Sequence, residues 1–253
     1  MEVRRGAVKE RAIVFEGVHK SYPLYYHITG GVKNFLFNFP KSITQFLNTR
    51  YDVLKGVSFE VLKGETFGII GKNGAGKSTT LGLIAGVLKP SAGAVTVQGR
   101  VSPLLELGAG FNPELTGREN IVLNGVLMGL TRAEVVRRVG EIVEFSELGN
   151  FIDQPIRMYS SGMLARLGFS VVALLNPEVL LIDEVLAVGD ADFQRKCLSK
   201  MMQFKKNGVT MIFVSHSLKD VEEICDRAVW IDNQRIRMLG PAREVVNGYK
   251  RAL

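Results

Sequence analysis

The residues best equipped for chemistry form the run Gly71-Lys72-Asn73-Gly74-Ala75-Gly76-Lys77-Ser78-Thr79. Its spacing is that of a phosphate-binding loop, G-x-x-x-x-G-K-[ST], and an apolar strand pattern precedes it while a helical pattern follows. Glycines at 74 and 76 let the backbone approach phosphate oxygens and turn N–H groups inward. Lys77 then reaches the β- and γ-phosphates, Ser78 holds Mg²⁺, and Thr79 adds a contact on the α-phosphate side. A nucleotide polyphosphate with Mg²⁺ is the expected ligand pair.

Two further sites lie at the ends of apolar strand patterns. "VLLIDE" places Asp183 and Glu184 beyond a fully apolar strand. In a parallel sheet that end lies beside the phosphate loop, so Asp183 is expected to hold the metal's water shell. Glu184 is expected to polarise the attacking water as a general base, a contribution of roughly 10²–10⁴ in rate. "MIFVSH" repeats the geometry and offers His216 as a γ-phosphate and water contact. A fourth stretch, Tyr159-Ser160-Ser161-Gly162-Met163, stands directly before a long apolar helical pattern. Its serines can cap the helix, and the same helix start can cradle an anion; the residues alone leave both readings open.

These positions need elements to hold them. The patterns predict strands over 12–18, 53–61, 66–70, 94–97, 179–182 and 209–215, and an antiparallel pair over 228–238 turning at Asp232-Asn233. Helices are predicted from Lys77 to about Leu88, from Thr116 to about Gly149 with a break at Gly129-Leu130-Thr131, and over the stretch that follows Tyr159. Further helices cover 193–206 and 218–226, and a short last one follows Gly240-Pro241. Strands alternating with helices imply an α/β core with a parallel sheet, preceded by an antiparallel β portion and interrupted by a helical block at about 112–176. No internal repeat or low-complexity tract is evident.

Residues 23–50 fit this scheme poorly, since a short turn would join the strands on either side. The segment carries Lys33, Lys41 and Arg50 with no carboxylate, and six aromatic residues. Val32, Phe35, Leu36, Phe39, Ile43, Phe46 and Leu47 follow helical spacing, broken at Pro40. A basic, aromatic, amphipathic insertion of this kind is expected to bind a membrane interface or a partner's groove.

Composition bounds the rest. The chain has 253 residues, is 46% hydrophobic and carries a formal charge of +7. It is long enough for one large domain with a sizeable core, and its charge is too mild to select a partner. The apolar stretches stop short of a membrane span, and the N-terminus lacks the apolar core of a secretory signal, so a cytosolic placement is expected. Cys197 and Cys225 have neither metal nor redox spacing and read as reduced, structural thiols.

Phosphate loop, Ser-x-Gly helix start, Asp-Glu strand end and strand-end His, in that order, resemble the ATP-binding cassette (ABC) ATPases. The resemblance spans essentially the whole chain outside 23–50 and the last dozen residues. It implies a P-loop nucleotide-binding domain over 1–240, with a RecA-like parallel-sheet core, an antiparallel β subdomain and a helical subdomain. Residues 241–253 then form a short C-terminal helix. It also implies that Tyr159–Met163, standing where the family usually has Leu-Ser-Gly-Gly-Gln, binds the γ-phosphate of ATP held by the other protomer of a head-to-tail homodimer. By the same resemblance Asp190 belongs to the loop that touches the partner subunit. Tyr22 matches the aromatic that stacks on adenine, with Tyr51 as a competitor. Where most relatives have a metal- and phosphate-contacting Gln, this chain has Leu107 with Glu106 beside it, and Glu106 or a backbone group is expected to take part of that work.

"LLELGAGFNPELTGREN", "YSSGM" and "IDEVLAVGD" together look like one branch, the Wzt-like ATP-binding subunits of exporters for O-antigen, capsule and teichoic-acid polysaccharides. That resemblance implies a polytopic transmembrane permease as partner, a lipid-linked polysaccharide as the cargo, and a place on the cytoplasmic face of the inner membrane. Some members continue into a C-terminal carbohydrate-binding domain. The competing readings are a soluble cassette ATPase acting on nucleic acid and a switch that binds ATP without hydrolysing it. The span from Ser78 to Ser160 has no room for a long coiled coil and only one cassette is present, which disfavours the first. Glu184 disfavours the second.

Overall fold

A computed structural model describes residues 10–23, 50–104, 110–175, 177–183, 189–215 and 217–253. The insertion between Pro23 and Arg50 therefore lies outside the described residues, except for its two ends.

Strands β1 (Arg11–Pro23), β2 (Arg50–Leu62) and β4 (Ala92–Val97) form an antiparallel sheet in the order β2-β1-β4. A second sheet has six strands, β5 (Val101–Leu104), β6 (Val179–Asp183), β7 (Thr210–Val214), β3 (Thr66–Ile70), β8 (Arg227–Asp232) and β9 (Arg235–Pro241), in that spatial order. All its pairings are parallel except β8 with β9. The central strands β3 and β7 are buried along their whole length, as parallel strands covered on both faces must be. Their side chains alternate between two cores. Phe67, Ile69, Ile212 and Val214 face the antiparallel sheet, while Ile70, Met211 and Phe213 face the opposite layer of helices. Phe59 stacks on Phe15 (4.4 Å between centroids) and on Phe67 (5.3 Å), a ladder that joins the two sheets.

Helices α1 (Lys77–Ile84), α2 (Gly117–Leu127), α3 (Arg132–Ser146), α4 (Ser161–Leu174), α5 (Ala191–Lys206), α6 (Leu218–Ile224) and α7 (Ala242–Lys250) complete the described elements, with short 3₁₀ turns at Gly149–Asp153 and Ile156–Met158. Helices α2, α3 and α4 close on a third core that includes Ile121, Val135, Ile142, Leu167 and Val171. The starts of α2 and α3 are fixed by capping boxes, Thr116 with Glu119 and Thr131 with Glu134, in which each side chain satisfies the other residue's backbone N–H.

Several boundaries differ from the sequence expectation for local reasons. Helix α1 ends at Ile84 rather than near Leu88, because Gly86 turns left-handed (φ 73°) and Leu88 folds back to donate to the Gly82 carbonyl (3.0 Å). Helix α3 ends at Ser146, since Glu147 adopts φ 56°. The β8–β9 turn centres on Asn233-Gln234, both at positive φ, one residue later than expected. Strand β5 was not anticipated. Its sequence, Val-Ser-Pro-Leu, contains a proline, and β5 lies at the sheet edge, where a missing ladder N–H is tolerated.

Candidate nucleotide site

The phosphate loop begins where β3 runs out. Gly71 lies so close to the next strand that a Cβ there would sit 2.4 Å from the Ile231 carbonyl oxygen. Gly76, at φ 100°, is pressed against β2, where a Cβ would meet Leu54 Cδ2 at 2.9 Å and the Val53 carbonyl at 3.0 Å. Gly74 is the contrast. Its φ is 78°, yet a Cβ would meet nothing within 4 Å, so this side of the loop faces open space. Two glycines thus anchor the loop and the third faces the space an anion would fill.

Lys77 is largely buried and arches back over the loop, its Nζ donating to the carbonyls of Gly71 (2.9 Å) and Lys72 (3.2 Å). Helix α1 starts at this lysine with no side-chain cap and no acidic residue in its first turn. Its first N–H groups and positive dipole end are therefore offered to an anion. Ser78 is exposed and Thr79 half-buried, while Thr80 turns inward to donate to the Gly76 carbonyl (2.9 Å). Cradle, cation and exposed hydroxyl together fit a nucleotide polyphosphate.

Asp183 is the last residue of β6. It pairs with Val214 of β7, which pairs in turn with Ile69 of β3. Asp183 therefore stands at the loop's end of the sheet, two strands from it. Glu184 and His216, one residue beyond Asp183 and Ser215, lie outside the described residues, as do Glu106 and Leu107. Tyr22 and Tyr51 are direct cross-strand partners near the end of the β1–β2 ladder. Tyr51 is exposed, whereas Tyr22 is half-buried with Lys20 Nζ 4.9 Å from its ring centre. Two residues further along β2, Val53 touches Gly76, so the tyrosine pair sits beside the phosphate loop.

The Tyr159–Met163 stretch divides into two parts. Tyr159 turns inward, buried against the helical core, and donates its hydroxyl to the Phe151 carbonyl (2.6 Å). Ser160 caps α4, its Oγ accepting from the Met163 N–H (3.2 Å). Ser160, Ser161, Gly162 and Met163 line an open hollow of about 540 Å³, whose other walls are Ala165, Arg166, Gly189 and Asp190. Asp190 itself caps α5, accepting from the Phe193 N–H (3.0 Å), and also accepts from Arg166 Nη2 (2.5 Å). The Phe193 N–H first, and then Arg166, hold the Asp190 carboxyl below the usual carboxylate range. Arg166 also donates to Glu147 Oε2 (3.0 Å), and Lys196 donates to Glu147 Oε1 (2.8 Å). Sequence reasoning missed Glu147 and Lys196, because ion pairs between distant positions leave no local pattern.

Both cysteines are free and buried; burial pushes the Cys197 thiol up to about 12 and raises Cys225 as well, which suits inert packing residues. Among the described residues no helix is long and apolar enough to cross a membrane.

A parallel sheet with a phosphate loop at the end of a central strand, an antiparallel sheet against one face and a helical block that carries a Ser-capped helix start define an ATP-binding cassette. A family profile described as ABC transporter matches residues 54–187. The O-antigen export system ATP-binding protein RfbB of Klebsiella pneumoniae is 58% identical over 245 residues, 96% of this chain and 99% of that protein. The teichoic acids export ATP-binding protein TagH of Bacillus cereus is 42% identical over 94% of this chain, which spans 42% of TagH. A solved structure described as the ATP-binding subunit of an ABC transporter superposes with a TM-score of 0.75 at 24% identity, covering 94% of this chain and 93% of that one, a likeness of fold. The chain belongs to the ABC transporter family, in the branch that holds the O-antigen and teichoic acid export ATP-binding proteins. As a member it binds nucleotide and hydrolyses ATP.

Proposed function

We propose that this chain powers a separate transmembrane permease that exports a lipid-linked, O-antigen-like polysaccharide, working as a homodimer that closes on two ATP–Mg²⁺ at the cytoplasmic face of the inner membrane. The observation that carries the dimer is the division of the site. The Ser160–Met163 helix start faces a hollow to which no residue of the phosphate loop contributes, so each protomer offers two half-sites. The substrate class rests on the 58% identity to an O-antigen export ATP-binding protein along nearly the full length of both chains.

ATP, when bound, supplies the phosphoanhydride whose hydrolysis drives reopening. The residues then divide the work. Backbone N–H groups from Gly71 to Thr79 and the Lys77 ammonium hold the phosphates. Ser78 and Asp183 each offer an oxygen, a sparse donor set of the kind Mg²⁺ accepts beside phosphate. Glu184 takes a proton from the attacking water, and His216 contacts that water and the γ-phosphate. Tyr22, with Tyr51 beside it, offers the surface for adenine. Ser160, Ser161, Gly162 and Met163 complete the partner's site through the α4 helix start, with Asp190 at the seam. The Glu106-Leu107 segment communicates with the permease. Nucleic acid has no part in this scheme.

The test is purification of the tagged protein from membranes. Recovery with a polytopic membrane protein and a glycan-bearing lipid is expected; recovery with nucleic acid and no membrane protein would overturn the reading.

A further inference from the structure

Beyond the roles above, four charged side chains from three helices meet beside the hollow. Glu147 receives Arg166 at 3.0 Å and Lys196 at 2.8 Å, and Arg166 spends its other nitrogen on Asp190. Arg166 is 18% exposed, and its guanidinium lies 4.8 Å from the ring centre of the fully buried Phe193. Lys196 also donates to the Phe145 carbonyl (2.9 Å) and stands over the Phe145 ring (4.6 Å). Glu147 is thus the shared counter-ion of one cation on α4 and one on α5.

Its backbone makes the arrangement notable. Glu147 closes α3 at φ 56°, ψ 28°, the left-handed position where a helix end favours glycine or asparagine. Glycine would satisfy the backbone and asparagine would satisfy it with a neutral side chain. Only a carboxylate also neutralises two converging cations.

We infer that Glu147 is a positioning residue for the second half-site: by fixing the Arg166 guanidinium it holds the Asp190 loop and the start of α4 in one relative placement. The inference rests on the two-protomer reading above. Arg166 has one nitrogen on each carboxylate, and Asp190 and the α4 start line the same hollow. Without Glu147 the guanidinium keeps its contact with Asp190 but loses the anchor that fixes its direction. Among the described residues the hydrogen bonds of this network do not reach the phosphate loop, so a protomer's own nucleotide affinity is expected to survive its loss.

The experiment uses the full chain with Glu184→Gln to hold ATP, and compares Glu147 with Glu147→Gly and Glu147→Gln. Glycine relieves the backbone and removes the carboxylate, so folding stability and carboxylate function separate. Expected for Glu147→Gly are a melting temperature close to that of the parent, relief of the left-handed backbone offsetting the lost ion pairs, and unchanged ATP affinity at low protein concentration. The dissociation constant of the ATP-bound dimer should rise about five- to tenfold by analytical ultracentrifugation. In the chain that retains Glu184, kcat falls by a similar factor with little change in KM. Glu147→Gln should behave likewise, and a double-mutant cycle with Arg166→Gln should be non-additive in the dimer constant. Wild-type dimerisation and kcat in both Glu147 variants would overturn the inference. If the Glu184→Gln parent itself fails to dimerise with ATP, the two-protomer reading falls and takes this role with it.

Discussion

Tyr159 donates its hydroxyl to the Phe151 carbonyl at 2.6 Å, directly above Gly117, where a Cβ would stand 2.3 Å from that hydroxyl. The first residue of the Tyr159–Met163 stretch is therefore a brace within the helical block. Burial raises its hydroxyl's pKa above the ordinary tyrosine value, so it stays a neutral donor. Tyr159→Phe should cost about 1 kcal/mol in chemical denaturation, the worth of one hydrogen bond. Steady-state KM for ATP should stay within twofold; a large KM change with intact stability would place Tyr159 at the nucleotide.

Lys77 donates its ammonium to two carbonyls of the phosphate loop. Lys77→Ala should abolish turnover and weaken nucleotide binding at least about a hundredfold, as loss of a charge-assisted phosphate contact does. Equilibrium dialysis with labelled ATP, followed by a phosphate-release assay, checks both.

Glu184→Gln should remove the proposed general base and leave binding intact. Hydrolysis should fall by about 10²–10⁴ while the ATP-bound dimer accumulates on size exclusion. Wild-type turnover would remove Glu184 from that role.

Gly71→Ala should destabilise the fold by about 1–3 kcal/mol, since the methyl group overlaps the Ile231 carbonyl and the two strands must part. Gly74→Ala meets no such contact, but its φ of 78° strains any side chain, so it should cost about 1 kcal/mol in stability and also lower nucleotide affinity. The denaturation midpoint should fall further for Gly71→Ala than for Gly74→Ala, and ATP titrations read the affinity of each.

The helical block carries several carboxyls held below their usual range: Glu119 and Glu134 by their capping threonines, Asp153 by Arg118, and Glu147 first by Lys196. Each stabilises the fold above its unfolded pKa, about 4 for these groups, and the contribution is lost as pH falls through the lower folded value. Thermal midpoints should be flat from pH 7 to about 5 and fall below about 4.5. A Thr116→Val, Thr131→Val protein should start lower at neutral pH and approach the parent in acid.

Much of this was legible in the residues. The parallel strands announced themselves as continuous apolar runs, and the helix starts placed at Thr116 and after the break at Thr131 coincide with the capping boxes to Glu119 and Glu134. Strand β5 was not legible, because a proline argues against a strand unless the strand is known to be an edge. The inward turn of Tyr159 needed Gly117, which lies 42 residues earlier in the chain. The Glu147–Arg166–Asp190–Lys196 network needed the fold itself, since its members come from three helices and share no periodicity.

The β1–β2 ladder shifts register several times but ends on three consecutive pairs, the last of them Pro23 opposite Arg50. Whatever lies between these two residues leaves and rejoins the sheet at neighbouring points. Lengthening such a connection costs only about 0.6 kcal/mol per doubling. Evolution can therefore exchange this piece for one of another length or character while Val53 and Leu54 keep pressing on Gly76. The cassette behaves as an engine whose fitting at this point can change length without disturbing the loop it braces.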